Sequence, residues 1–202
     1  MTLEEMVAAV QKTLGVTVDG KAGPETWTAI YQKIVKPKIA GDQSGPELSR
    51  VEPRSEKNIL TLNPEIQPLA RALVQKADAS GIGIKVISGL RSYEEQDALY
   101  AQGRTTPGKI ITNAPAGYSN HNFGIAFDIG VFESNKYLGD SPKYKAVGAL
   151  GMDIGLEWGG SWKSIDDQPH FQLRPKWAND LTEKQMLAGL RDRVKNGLPV
   201  YA

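Results

Sequence analysis

The chain contains no cysteine, which excludes a disulfide framework and any thiolate metal site. Histidine is almost as scarce, with two in 202 residues, so few imidazoles are left over for general surface or core duty. No apolar run approaches the roughly 18–20 residues that a membrane span requires. Charge of either sign is not in excess: 24 Lys+Arg against 23 Asp+Glu leaves +1. That balance argues against a partner held mainly by bulk charge, such as nucleic acid or an anionic membrane surface. The start, Met1-Thr2-Leu3-Glu4-Glu5, is acidic and amphipathic and lacks the basic stretch and apolar centre of a signal peptide. What remains is ordinary for a soluble globular protein, 40% hydrophobic and 23% charged. The length suits one good-sized core, or one core plus a small appendage.

Residues 1–35 read as a small helical segment. Leu3, Met6, Val7, Val10 and Leu14 follow helical spacing and predict one buried face. Gly15 closes that helix, Asp19-Gly20 supplies a turn, and Gly23-Pro24 opens a second helix with Trp27, Ile30, Tyr31 and Ile34 as its apolar stripe. Residues 36–59, rich in Pro, Gly, Ser and charge, read as a linker or wrapped loop. The main domain, 60–202, predicts helices over 64–79, 93–102, 141–154 and 182–195, the last opened by the capping-box pattern Thr182-Glu183-Lys184-Gln185. Strands are predicted over 84–88, 125–131 and 169–173 from their β-branched and alternating residues. Helices and strands mix without a regular βαβ repeat. The class is therefore α+β, with a small, mainly antiparallel sheet flanked by helices.

Both histidines fall in segments that look like metal-ligand sites. His121 lies in Ser119-Asn120-His121-Asn122-Phe123-Gly124-Ile125-Ala126-Phe127-Asp128, and His170 in Asp166-Asp167-Gln168-Pro169-His170-Phe171-Gln172. Strand alternation sends Ile125, Phe127 and Ile129 into the core and turns Asp128 away from it. The same rule sends Phe171 and Leu173 inward and His170 and Gln172 outward. If the two strands are neighbours, Asp128 and His170 meet on one face, and His121 enters from the preceding turn. Two neutral imidazoles and a carboxylate suit zinc, and a fourth position open to water would make the centre hydrolytic. Such chemistry needs a general base. Asp167 is the first candidate, with Asp166 in reserve because a one-residue shift in the turn exchanges their directions. Arg91, just after the strand at 84–88, is placed to meet a substrate carboxylate or a developing oxyanion.

Each residue alone has a plainer reading. A single His near a strand is usually a hydrogen-bonded core or rim residue. Arg91 could pair with Glu94 or Glu95 at a helix start, and Asp166-Asp167 could be a solvated turn. Trp158, Trp162 and Trp177 could pack the core or line a groove. The conjunction weighs against these readings, because every His and two outward acids converge on one region.

At these residues the sequence resembles the VanY-like and L-alanyl-D-glutamate endopeptidase group of metallopeptidases, which cut peptidoglycan stem peptides. The likeness runs from about Leu62 to Leu173. It rests on Ser88-Gly89-Leu90-Arg91-Ser92 followed by Gln96, on Ser-x-His-x-x-Gly-x-Ala-x-Asp over 119–128, and on Trp158-Gly159-Gly160 leading to Pro169-His170-Phe171. The resemblance implies the fold of D-Ala-D-Ala peptidases and of the Hedgehog signalling domain. It implies zinc held by His121, Asp128 and His170, Asp167 as base, and Arg91 as substrate or transition-state anchor. Aspartate where relatives that trim D-Ala-D-Ala often carry Glu points to the L-Ala–D-Glu branch, which includes phage endolysins. Residues 10–30 are similar to the peptidoglycan-binding repeat of cell-wall hydrolases, through Val10-Gln11, Leu14-Gly15, Val18-Asp19-Gly20 and Gly23-Pro24-Glu25-Thr26. The usual repeat is about twice as long, so the segment is a truncated binding unit or a helical cap.

The expectation is thus a monomeric zinc endopeptidase acting on bacterial peptidoglycan, with no nucleic-acid partner. Its rivals are a D,D-carboxypeptidase or dipeptidase and, from another class, a non-catalytic zinc-containing wall-binding domain. Without a leader, the route to the wall would be phage lysis from the cytoplasm or leaderless export.

Overall fold

The computed structural model describes residues 1–30, 51–163 and 165–202. The chain divides into two compact units, Met1–Leu48 and Ser49–Ala202.

In the first unit, helix α1 (Leu3–Leu14) opens with a capping box between Thr2 and Glu5 and stops at Gly15, whose φ of 71° is the left-handed turn glycine permits. Helix α2 spans Pro24–Ile30. The predicted stripe of α1 is not a buried face, because Leu3, Met6 and Val10 are exposed; Trp27 of α2 is exposed as well. The buried residue of α1 is Gln11. Its Nε2 donates to Asp19 Oδ1 (2.7 Å), the Lys21 carbonyl (2.9 Å) and Thr26 Oγ1 (2.9 Å), while its Oε1 accepts from the backbone N–H groups of Asp19 and Gly20. The loop after α1 folds back over the helix and presents backbone groups that only a polar side chain can satisfy. The Tyr31 and Ile34 positions and the linker up to residue 50 lie outside the described residues.

The second unit holds α3 (Pro53–Ile59), α4 (Gln67–Ala79), β1 (Gly83–Ser88), α5 (Tyr93–Ala101), β2 (Ala126–Glu133), β3 (Lys136–Leu138), α6 (Lys143–Asp153), β4 (Glu157–Trp158), β5 (His170–Gln172) and α7 (Glu183–Lys195). The sheet runs β1-β2-β5-β4, with β3 pairing the far end of β2. Every pairing is antiparallel, as the sequence predicted. One face packs on the principal core of Ile59, Leu73, Val86, Phe127, Ile129, Tyr144, Val147 and Phe171. The Phe127 and Phe171 rings, opposite each other in register, stack at 5.8 Å.

Three features depart from the sequence reading. Residues 53–59, expected in the linker, form α3, so this unit begins before residue 60. Helix α3 has little apolar residue pattern to reveal it. It is capped by Glu52 and tied to the free edge of β1 by side chains: Ser55 Oγ accepts from the Val86 N–H (2.9 Å), and Asn58 Nδ2 donates to the Val86 carbonyl (2.8 Å). An edge strand is thereby closed without another strand. Ile125 was expected to point inward with Phe127 and Ile129; it belongs instead to a second cluster with Phe123, Met186 and Leu190 beneath α7. Its position just before β2 releases it from the strand's alternation. The short strands β3 and β4 carry too few residues for a periodic signal.

Helix α6 approaches the sheet through glycines. A Cβ at Gly148 would strike the Trp158 ring, and one at Gly151 the Phe171 ring. Gly151→Ala is therefore expected to destabilise the fold by about 1–3 kcal/mol through overpacking, read as a lower midpoint in urea at unchanged m-value.

Candidate functional site

Antiparallel register builds the centre. Ser88 of β1 pairs with Asp128 of β2, and Asp128 pairs with His170 of β5, so the three form one row across the sheet. The core takes Phe127, Ile129 and Phe171, which leaves this row on the opposite face. His121 arrives from a 3-10 turn, Asn120–Phe123, ended by Gly124 with φ 64°. The ligand atoms of His121, Asp128 and His170 all lie within 4.8 Å of one another. His121 Nε2 and His170 Nδ1 each stand 3.3 Å from Asp128 Oδ1. The two rings meet edge to face at 5.2 Å.

The opposite nitrogen of each ring fixes which one faces the centre. His121 Nδ1 lies 2.8 Å from the Gly89 carbonyl, an acceptor only, and so carries the proton. His170 Nε2 lies 2.9 Å from Gln172 Oε1, with the same consequence. In the neutral rings, the lone pairs of His121 Nε2 and His170 Nδ1 therefore point at a carboxylate oxygen. Three electron-pair donors facing one another need positive charge between them, supplied either by protons on the rings or by a metal ion. The charges show the same demand. Burial pushes the Asp128 carboxyl up, but the charge and hydrogen bond of His121, together with those of His170, outweigh it and hold the group well below the carboxylate range. Burial also pushes the His170 imidazole down, yet its hydrogen bond and attraction to Asp128 leave it above the ordinary 6.5. Two imidazoles and a carboxylate with an open side form a set that a divalent transition metal fits.

Arg91 and Asp167 also face the cleft that contains this triad, a cavity of about 1220 Å³ with Tyr118, Tyr137 and Ile165 at its rim. Arg91 does not pair with Glu94 or Glu95. Its Nη1 donates to Gln96 Oε1 (2.8 Å), Nη2 donates to Ser88 Oγ (3.3 Å), and Nη2 stands 3.8 Å from Asp128 Oδ2. Glu95 is occupied as the capping-box partner of Ser92. Asp167 is anchored by its backbone: its N–H donates to the Gly159 carbonyl, and its own carbonyl accepts from the His170 N–H at 3.1 Å. Burial pushes the Asp167 carboxyl up, and the Asp128 charge adds to this, against the pull of the two histidines. Asp166 is exposed and takes a hydrogen bond from Gln168 Nε2 (3.0 Å). Trp162 lines the cleft with its ring 5.1 Å from His170, Trp158 is buried in the principal core, and Trp177 packs on the second cluster.

Sequence reasoning missed Asn120, Glu157, Arg174 and Glu183, which connect behind His170 through Gln172. The available signal was Gln172 itself, a polar residue two positions from His170 on the same strand face.

Residues 59–163 match the VanY family, described as D-alanyl-D-alanine carboxypeptidase. Peptidoglycan L-alanyl-D-glutamate endopeptidase CwlK of Bacillus subtilis (strain 168) is 36% identical over 124 residues, which are 56% of this chain and 74% of that protein. The L-alanyl-D-glutamate peptidase of Listeria phage A118 is 28% identical over 127 residues, 61% of this chain and 42% of the phage protein. Among solved structures, that of the Serratia marcescens L-Ala D-Glu endopeptidase ChiX is 25% identical, with a TM-score of 0.47 over 60% of this chain and 86% of that one.

Metal-stripped protein is expected to take up one equivalent of a divalent transition metal with a rise in Tm, and Asp128→Ala to lose both effects. Protons and metal compete for the same lone pairs, so affinity should weaken as pH falls through the raised His170 value, earlier than for a free imidazole. Calorimetric titration at several pH values would read this directly.

Proposed function

The chain belongs to the VanY family of D-alanyl-D-alanine carboxypeptidases, and from that premise we propose a zinc-dependent peptidoglycan endopeptidase that cuts the L-Ala–D-Glu bond of stem peptides. The observation that carries this reading is the convergence of the His121–Asp128–His170 set with Asp167 and Arg91 in one open cleft. The names of the relatives support the bond: the Bacillus and phage proteins are both L-alanyl-D-glutamate peptidases. The family description favours the second reading, release of terminal D-Ala.

His121 Nε2, Asp128 Oδ1 and His170 Nδ1 would hold the zinc. When bound, zinc supplies Lewis-acid polarisation of the scissile carbonyl and eases ionisation of water near neutral pH. Asp167 takes the proton of the attacking water as it adds to the carbonyl carbon. Burial suits it to this task, since a raised pKa brings a carboxylate closer to the working pH of a general base. Arg91 carries part of the charge that develops on the carbonyl oxygen. Its guanidinium is already held on two sides, by Gln96 and Ser88, so little reorganisation accompanies the reaction. As the C–N bond breaks, Asp167 returns the proton to the leaving amine. Trp162, Tyr118, Tyr137 and Ile165 line the cleft and offer apolar surface to the substrate.

The likeness of residues 10–30 to the peptidoglycan-binding repeat supports a wall-docking role for the first unit, with a helical cap as the other reading. The described residues hold no helix long and apolar enough to cross a membrane; the site of action in this reading is the wall itself.

Digestion of purified peptidoglycan by zinc-loaded protein should create new L-Ala carboxyl ends and D-Glu amino ends, identified by mass spectrometry and end-group analysis. Asp167→Ala should retain zinc and lose turnover by a factor of roughly 10²–10⁴, the range of a general base. Free D-Ala as the main product would replace the first reading with the second. Normal turnover in Asp167→Ala would move the base to Asp166. Removal of residues 1–48 should reduce sedimentation with insoluble walls while sparing cleavage of soluble stem peptides; unchanged sedimentation would leave that unit as a cap.

A further inference from the structure

Behind His170 runs a set of side chains that the proposed reaction does not use. Gln172, fully buried, places Oε1 2.9 Å from His170 Nε2 and accepts there also from Asn120 Nδ2 at 2.6 Å. Gln172 Nε2 donates to Glu157 Oε2 at 2.7 Å. Glu157 is gripped in turn by Arg174, with Nε 2.5 Å from Oε1 and Nη2 3.4 Å from Oε2. Arg174 reaches on to Glu183 at 3.0 Å, and Glu183 Oε1 receives Asn120 Nδ2. The loop of contacts is closed.

Its direction is dictated by chemistry. A carboxylate paired with a guanidinium only accepts, so the Gln172 amide must turn its NH₂ to Glu157 and its oxygen to His170. Asn120 stands between two acceptor oxygens and must point its NH₂ at both. Among the described residues, Asn120 Oδ1 is the buried side-chain polar atom left without a partner. An unsatisfied buried acceptor is destabilising, so the network tolerates a local loss that keeps the Gln172 oxygen aimed at the imidazole.

We propose that Gln172, oriented by the Glu157–Arg174 pair, is a positioning residue. It holds His170 with Nε2 protonated and Nδ1 facing the centre, and so sets the affinity of that centre for its metal. The inference rests on the zinc-centre reading above. It goes beyond that reading by assigning Gln172, Glu157 and Arg174 a role none of them plays by touching substrate. An apolar residue of similar length at 172 would fill the same space yet leave the imidazole free to rotate or change tautomer.

The test compares full-length wild type with Gln172→Met. Zinc affinity is measured by chelator competition, and the ligating nitrogen of His170 is read from ¹⁵N ring shifts of the zinc-loaded protein. Loss of a partner behind a metal-bound imidazole should weaken zinc binding roughly 10–100-fold, with the single Nδ1-ligated signal replaced by a mixture. The double variant Gln172→Glu/Glu157→Gln returns an acceptor to His170 and a donor to its neighbour, and should restore the wild-type affinity and signal. Should Gln172→Met not fold, Gln172→Asn carries the same comparison, since it keeps the amide but withdraws it by one methylene. Wild-type affinity and an unmixed Nδ1 signal in the folded variant would overturn the proposal. Failure of wild type itself to bind zinc would instead overturn the metal-centre reading.

Discussion

Two imidazole lone pairs and a carboxylate, brought within 4.8 Å of one another on a mostly buried sheet face, repel unless positive charge lies between them. The arrangement of the catalytic unit follows from that constraint. Against burial, which pushes each group the other way, the imidazoles hold the Asp128 carboxyl low, and the hydrogen bond and charge of Asp128 draw His170 above its ordinary value. A metal ion bound to the three donors would meet the same constraint. The hydrogen bonds on the far side of each ring, to the Gly89 carbonyl and to Gln172, decide which nitrogen takes part.

The sheet supplies the precision. A row of Cα partners across β1, β2 and β5 puts Ser88, Asp128 and His170 side by side, and a register slip of one residue would send Asp128 into the core and Phe127 into the cleft. Two apolar layers resist such a slip. The principal core holds Phe127, Ile129 and Phe171 on one side, and the cluster beneath α7 holds Ile125, Met186 and Leu190 on the other. Between the Ser88–Asp128–His170 row and α7 the structure uses hydrogen bonds, through Asn120, Gln172, Glu157, Arg174 and Glu183. Such a network discriminates between ring orientations, whereas a hydrocarbon layer would fill space without choosing among them.

Around this centre, groups of opposite function approach from different elements. Arg91 follows β1 and is braced by Gln96 from α5, and Gln96 also holds the cleft wall through the Ala114 carbonyl at 2.6 Å. Asp167 precedes β5 and is braced by backbone bonds to Gly159 and His170. A cation and a carboxyl raised by burial, both lining one cleft, suit amide hydrolysis, in which negative charge grows on oxygen while a proton moves to nitrogen. The rim of Tyr118, Tyr137 and Ile165 leaves room for an extended peptide.

Much of this was legible in the chain. Cysteine's absence and histidine's scarcity narrowed any metal site to His121, His170 and nearby acids, and period-two alternation placed Asp128 and His170 off the core before any strand pairing was known. Local chemistry also announced α7 through its capping box. Other features had no local signal. Helix α3 is held by Ser55 and Asn58 reaching a strand edge about 30 residues away, the second cluster captures Ile125 because α7 happens to lie over it, and Gln11 replaces an apolar stripe because a loop folds back on it. Sequence alone narrowed the candidates for ligands, base and anchor to a few residues, since side-chain chemistry and strand period are local properties. Tertiary structure decided which nitrogen of each histidine faces the centre and what holds it there, because those choices depend on hydrogen-bond partners brought together from distant parts of the chain.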